Sequence, residues 1–105
     1  MKFLFRYSRR FLSDAGKLFT EEELQALGIA LLRNPTIGDV IPGGSGLRKM
    51  RFAAKGMGKR GGSRVIYLLK ISDDQIILLA AYGKNYKSDL SKDEIKNLIE
   101  ESKKS

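Results

Sequence analysis

Two apolar runs, Arg64 to Ile71 and Gln75 to Tyr82, leave this chain little choice of fold. Each is rich in β-branched and aromatic side chains and has the length of a central strand covered on both faces. Asp73-Asp74 between them reads as a tight hairpin connection, so an antiparallel pair is expected at the middle of the molecule.

The stretch before this pair alternates. From Leu47 to Ala54, Leu47, Lys49, Arg51 and Ala53 point one way, and Arg48, Met50, Phe52 and Ala54 point the other. Met50 and Phe52 must face covering helices, which leaves Lys49 and Arg51 side by side on the opposite face. Lys2 to Tyr7 alternates too and reads as a short first strand.

Ser8 is placed to cap a helix whose apolar residues Phe11, Leu12, Ala15, Leu18 and Phe19 recur at helical spacing. Thr20-Glu21-Glu22-Glu23 has the capping-box pattern and opens a second helix carrying Leu24, Leu27, Leu31 and Leu32, which Asn34-Pro35 ends. Thr36 to Gly46 reads as a loop. A second capping box, Ser91-Lys92-Asp93-Glu94, opens a terminal helix with Ile95, Leu98 and Ile99 on one side. The order is β-α-α-β-β-β-α, an α+β fold in one domain over residues 1–105: a small antiparallel sheet with a helical hairpin on one face. There is no internal repeat.

Charge is segregated on this framework. Between Val40 and Ser72 stand eight basic residues (Arg48, Lys49, Arg51, Lys55, Lys59, Arg60, Arg64, Lys70) and no acidic one, while the rest of the chain carries twelve of each sign, so the whole net charge of +8 lies here. Charge placed only for solubility is spread over a surface; concentrated charge points to an anionic partner. The chain has no Cys and no His, which excludes disulfides, thiolate or imidazole metal sites and imidazole proton transfer. No metal or cofactor is expected. The start is too short an apolar run for a signal segment and there is no stretch long enough to span a bilayer, so the chain reads as cytoplasmic, with no membrane partner.

The glycine-rich run Gly56 to Ser63 fits neither the P-loop spacing nor the dinucleotide fingerprint, and no helix follows it. Its functional reading is a loop that lays Lys55, Lys59 and Arg60 along a phosphate backbone; the alternative is a plain exposed hairpin loop. Lys49, Arg51 and Arg64 fall on adjoining strands, and three clustered cations suit the charge that develops when a phosphodiester is cleaved. Phosphate binding without chemistry is the alternative. RNA cleavage needs no metal, because the adjacent 2′-hydroxyl attacks phosphorus once deprotonated. With no His present, Lys49 or Lys55 could serve as the base if neighbouring cations disfavour its charged form. Tyr82 and Tyr86, beside Lys84 and Lys87, could stack on splayed bases, or could instead be packing residues. No paired carboxylates flank the groove, which disfavours glycosidase and two-metal nuclease chemistry.

The blocks Gly38-Asp39-Val40-Ile41-Pro42-Gly43, Gly46 to Ala53, Lys59 to Tyr67, and Lys84-Asn85 with Asp89-Leu90 resemble the RelE/HigB toxins of bacterial toxin–antitoxin systems, with the longer basic loop as a HigB-like feature. The resemblance implies a RelE-like, microbial-ribonuclease-like fold. It also implies a metal-independent mRNA endonuclease (mRNA interferase) that works in the ribosomal A site, inhibits translation and is silenced by a cognate antitoxin. The resemblance also allows operator DNA as a partner, contacted through the antitoxin complex. By resemblance the working positions fall on Lys49, Arg51, Arg64 and the Lys84-Asn85 segment, although the family's RelE branch has an Arg where this chain has Asn85. Two alternatives stand beside it: a ParE-like toxin that inhibits DNA gyrase by protein contact, and a basic RNA-binding module.

Overall fold

The computed structural model describes residues 3–52, 62–84, 87 and 89–104. In chain order its elements are β1 (Leu4–Tyr7), α1 (Arg9–Leu18), α2 (Glu21–Arg33), β2 (Asp39–Val40), β3 (Leu47–Phe52), β4 (Ser63–Lys70), β5 (Gln75–Gly83) and α3 (Lys92–Lys103). The α+β class and the order of the main elements are as expected. The addition is β2, two residues at an edge in what reads as a loop, too short to show any alternation. It pairs Asp39 with Lys49 and Val40 with Arg48.

The strands lie in the order β1-β5-β4-β3-β2. All neighbours are antiparallel except β1, which runs parallel to β5 with Leu4 opposite Gln75 and Tyr7 opposite Leu78. The sheet is therefore mixed at one edge. The reason is the helical hairpin: α1 and α2 carry the chain from the β1 edge to the β2 edge across one face of the sheet. The β4–β5 connection is also looser than a two-residue turn. Ile71–Asp73 forms a 3₁₀ turn, and Asp74 follows in the left-handed region at φ 52°, which Asp tolerates better than most residues.

The caps are those the sequence offers. Ser8 Oγ accepts from Phe11 N at 2.9 Å, and both capping boxes are closed, Thr20 with Glu23 and Ser91 with Glu94. Each satisfies helix N–H groups that otherwise lack partners.

The sheet has a core on each face. On the hairpin side Met50, Val65, Tyr67, Ile76, Leu78 and Ala81 pack with Phe11, Ala15, Phe19, Leu27 and Leu31. On the other side Leu47, Ile66, Ile77, Leu79, Ala80 and Tyr82 pack with Leu98 of α3. Leu12 and Leu32, although they belong to the apolar residues at helical spacing, are 57% and 46% exposed. The apolar stripes of α1 and α2 are wider than the strip of sheet they cover, and these two leucines border hollows against Tyr7 and Phe5.

A bulge in β5 decides which side chains face where. Tyr67 is opposite Leu78 but Ile66 is opposite Ala80, so Leu79 is an extra residue. One extra residue reverses the alternation beyond it, sending Ala81 to the hairpin side and Tyr82 to the α3 side. The polar groups that the bulge leaves out of register are met by α1. Ser8 Oγ donates to Leu79 O at 2.8 Å, and Asp14 Oδ2 accepts from Ala81 N at 3.0 Å.

The far edge is pinned by Tyr67, whose buried hydroxyl accepts from Gly38 N at 2.9 Å and donates to Pro35 O at 2.8 Å. A Cβ on Gly38 would come within 2.8 Å of the Tyr67 ring and 3.1 Å of the Lys49 backbone, so only glycine fits this approach.

Candidate functional site

The site is built on the α3 side of β3, β4 and β5. Met50 turns toward the hairpin core, so its neighbours Lys49 and Arg51 project the other way, as the alternation requires. Arg51 is directly opposite Arg64, and Arg64 directly opposite Tyr82, which makes one row across three strands. Lys49, opposite Ile66, stands one step along on the same face. The three cations anticipated from the sequence are thus gathered on one face.

Like charges directly opposite each other in a sheet are destabilising, so this pairing is a cost rather than an aid to folding. Arg51 is exposed, whereas Arg64 is only 9% exposed and donates from Nη1 to Ser63 O at 3.3 Å. Among the described residues no carboxylate forms an ion pair with either.

Lys49 differs. Its Nζ lies 3.1 Å from Oδ1 of Asp89, an oxygen that also accepts from Leu90 N at 2.8 Å. That backbone N–H, followed by the Lys49 hydrogen bond, holds the Asp89 carboxyl below its ordinary value. Asp89 is the functional neighbour that reasoning from chemistry missed. It is forty positions from Lys49, and its only sign in the sequence is its place in the Asp89-Leu90 block.

Tyr82 is a correction. It is 4% exposed, packs in the α3-side core, and has the Lys87 ammonium 5.5 Å from its ring centre. A ring so covered is not a stacking platform for a base. Burial, followed by the charge of Asp89, raises the pKa of its hydroxyl, while Arg64 opposes the shift. That hydroxyl has no hydrogen-bond partner among the described residues.

Lys84 follows β5 at the end of the sheet where the Arg51–Arg64 row lies; its side chain is exposed and its N–H donates to Gly62 O at 3.3 Å. Lys55, Lys59, Arg60, Asn85 and Tyr86 fall outside the described residues. The segment leading into α3 is tied down by charge. Lys87 pairs with Glu94, which also meets Arg10 at 3.5 Å, and Arg10 in turn meets Asp14 at 3.5 Å. The Lys87 contact, ahead of the Ser91 N–H, lowers the Glu94 pKa to about 2.

Among the described residues no three acidic side chains come together as they would around a metal ion. No helix among them is long and apolar enough to cross a membrane. The apolar hollows, each about 400 Å³, lie against α1 and α2, away from the cations. A row of cations on one sheet face suits a polyanion.

Comparison with known proteins agrees with this geometry. A double arginine-to-alanine variant of the E. coli toxin RelE, in its free state, has the same fold with a TM-score of 0.66 at 14% identity, over 98% of this chain and 99% of that one. Residues 38–105, which hold β2 to α3 and every cation of the site, match the family model described as the RelE toxin of the RelE/RelB toxin–antitoxin system. With most of its length inside that match, this chain belongs to the RelE toxin family, and the membership implies a cognate antitoxin as partner.

Proposed function

We propose that the protein is a ribosome-dependent endoribonuclease that cuts mRNA in the A site without a metal ion. The observation that carries this reading is the Arg51–Arg64 row with Lys49 beside it: three cations on one face, with Asp89 the one carboxylate bonded to them among the described residues. RelE-family toxins are generally endoribonucleases.

In the proposed reaction the 2′-oxygen of one nucleotide attacks the adjacent phosphorus and loses its proton to a base. The bond from phosphorus to the 5′-oxygen breaks, and that oxygen takes up a proton. The products are a 2′,3′-cyclic phosphate and a free 5′-hydroxyl. Arg51 and Arg64 face the phosphate, where two guanidinium groups meet the added negative charge of the five-coordinate transition state. Lys84 and Asn85 contact the backbone or the leaving oxygen from the end of β5, and Lys55, Lys59 and Arg60 hold RNA. Lys49 is the candidate base. Paired with Asp89 it is an ammonium and binds as a cation; to act as the base it must first give up a proton, and only then can it take the one from the 2′-hydroxyl.

Primer extension on an mRNA being translated in a purified system tests the reading. Wild type should give ribosome-dependent cuts within codons, and Arg64→Ala should reduce them about 10²- to 10³-fold. Intact mRNA with unaffected translation would overturn the proposal and direct attention to DNA gyrase.

A further inference from the structure

Among the described residues Asp89 is the one carboxylate bonded to the cations of this face. One oxygen, Oδ1, is shared by Lys49 Nζ at 3.1 Å and Leu90 N at 2.8 Å. An ammonium and a backbone N–H converging on one anionic oxygen make the arrangement that a phosphate oxygen finds in a binding site. The charge of Asp89 also acts on the buried hydroxyl of Tyr82, and Arg64 acts on Asp89, both in the row beside Lys49.

We propose that Asp89 is an internal competitor for phosphate at Lys49, a specificity-determining residue that sets how strongly a ligand must be held before the groove accepts it. This rests on the reading of the groove as a phosphate site. The competitor is a weak one, because the Lys49 and Asp89 side chains are 31% and 65% exposed, and exposed pairs contribute little. A single phosphate on flexible RNA gains little net free energy by displacing it. A backbone presented in fixed register, with Arg51, Arg64 and Lys84 engaged at once, has already lost its freedom and displaces Asp89 easily. Discrimination against free RNA is thus built into the segment that joins the sheet to α3.

Binding of a short fluorescein-labelled single-stranded oligoribonucleotide with 2′-O-methyl sugars, which cannot be cleaved, tests this by fluorescence anisotropy over a salt series with the full chain. Asp89→Asn keeps an oxygen for the Leu90 N–H and removes only the charge. It should bind about two- to five-fold more tightly than wild type. Its dependence of log K on log salt should steepen by about 0.7, the mark of one more phosphate contact on a single strand. Asp89→Ser should behave alike, and in a Lys49→Gln background Asp89→Asn should tighten binding by much less, since only its longer-range charge is then relieved and no contact is freed. Unchanged or weaker binding by both Asp89 variants, or equal tightening with and without Lys49, overturns the inference while leaving the groove intact. Arg64→Ala separates the two levels: if it binds as tightly as wild type, RNA is not held here, and the functional reading falls together with the inference.

Discussion

The two faces of this sheet are made by the same strands and do opposite things. On the hairpin side β3 presents Met50 and Phe52, the latter edge-on to Phe19 at 5.5 Å, and β4 presents Val65 and Tyr67. One residue away, on the α3 side, the same strands present Lys49, Arg51 and Arg64. α3, through Leu98 and Ile99, and Leu90 just before it cover part of that side, in the cluster with Ile66, Leu79 and Tyr82. The comparison teaches how a chain of this size carries a cation cluster with a single carboxylate bonded to it among the described residues. The apolar core on one face supplies stability, strand pleating separates it from the charges by a single residue, and the charged face can then tolerate like charges in register.

Truncation on either face should separate these roles most sharply. Leu31 is fully buried in the hairpin core, and Leu31→Ala should cost about 2–5 kcal/mol of stability in denaturant unfolding. Arg64→Ala should shift stability by no more than about 1 kcal/mol, since it also relieves the repulsion with Arg51, while abolishing most cleavage. Equal destabilisation by both would mean that Arg64 is a packing residue and that the division between faces is false.

The bulge at Leu79 is where the faces communicate. Asp14 belongs to α1, yet its bond to Ala81 N fixes the backbone that turns Tyr82 to the other side. Asp14→Ala should cost about 1–3 kcal/mol by leaving that N–H without its side-chain partner, and should lower cleavage as well, because β5 beyond the bulge loses its register. Asp14→Asn retains an acceptor and should recover most of both. If Asp14→Ala lowers stability but leaves cleavage by the remaining folded protein unchanged, the two faces are independent.

The parity of β3 was legible, because Met50 and Phe52 alternate with Lys49 and Arg51 in a stretch where only one face is apolar. Both capping boxes were equally plain, being local patterns of four residues. The bulge was not legible: Ile76 to Ala81 is apolar throughout, so a one-residue shift leaves no trace in the pattern, and the burial of Tyr82 depends on that shift. Parallel pairing of β1 with β5 was hidden for another reason, since strand alternation carries no sign of direction. The Lys49–Asp89 contact joins residues forty apart through the fold, and a lone Asp after a basic strand end looks like any solvated charge.

The smallest effect concerns how the charged face keeps its partial cover. Glu94 holds the start of α3 through Lys87 and the Ser91 N–H, and its pKa is lowered from 4.5 to about 2. A carboxyl with a depressed folded-state value stabilises the protein above its unfolded value and loses that contribution as pH falls through the folded one. The contribution is therefore complete above pH 4.5 and should fade toward about pH 2. Because the Lys87 and Glu94 side chains are 25% and 28% exposed, the loss should be modest, on the order of 1 kcal/mol. Glu94→Gln should remove this part of the pH dependence and leave the rest. Hydrogen exchange locates the effect: between these pH values the amides of α3 should lose protection before those of α1 and α2, whose cover of the sheet is apolar. Simultaneous loss over all three helices would show that acid opens both faces as one unit. Loss confined to α3 would show that the cover over the cations is released without disturbing the core behind it.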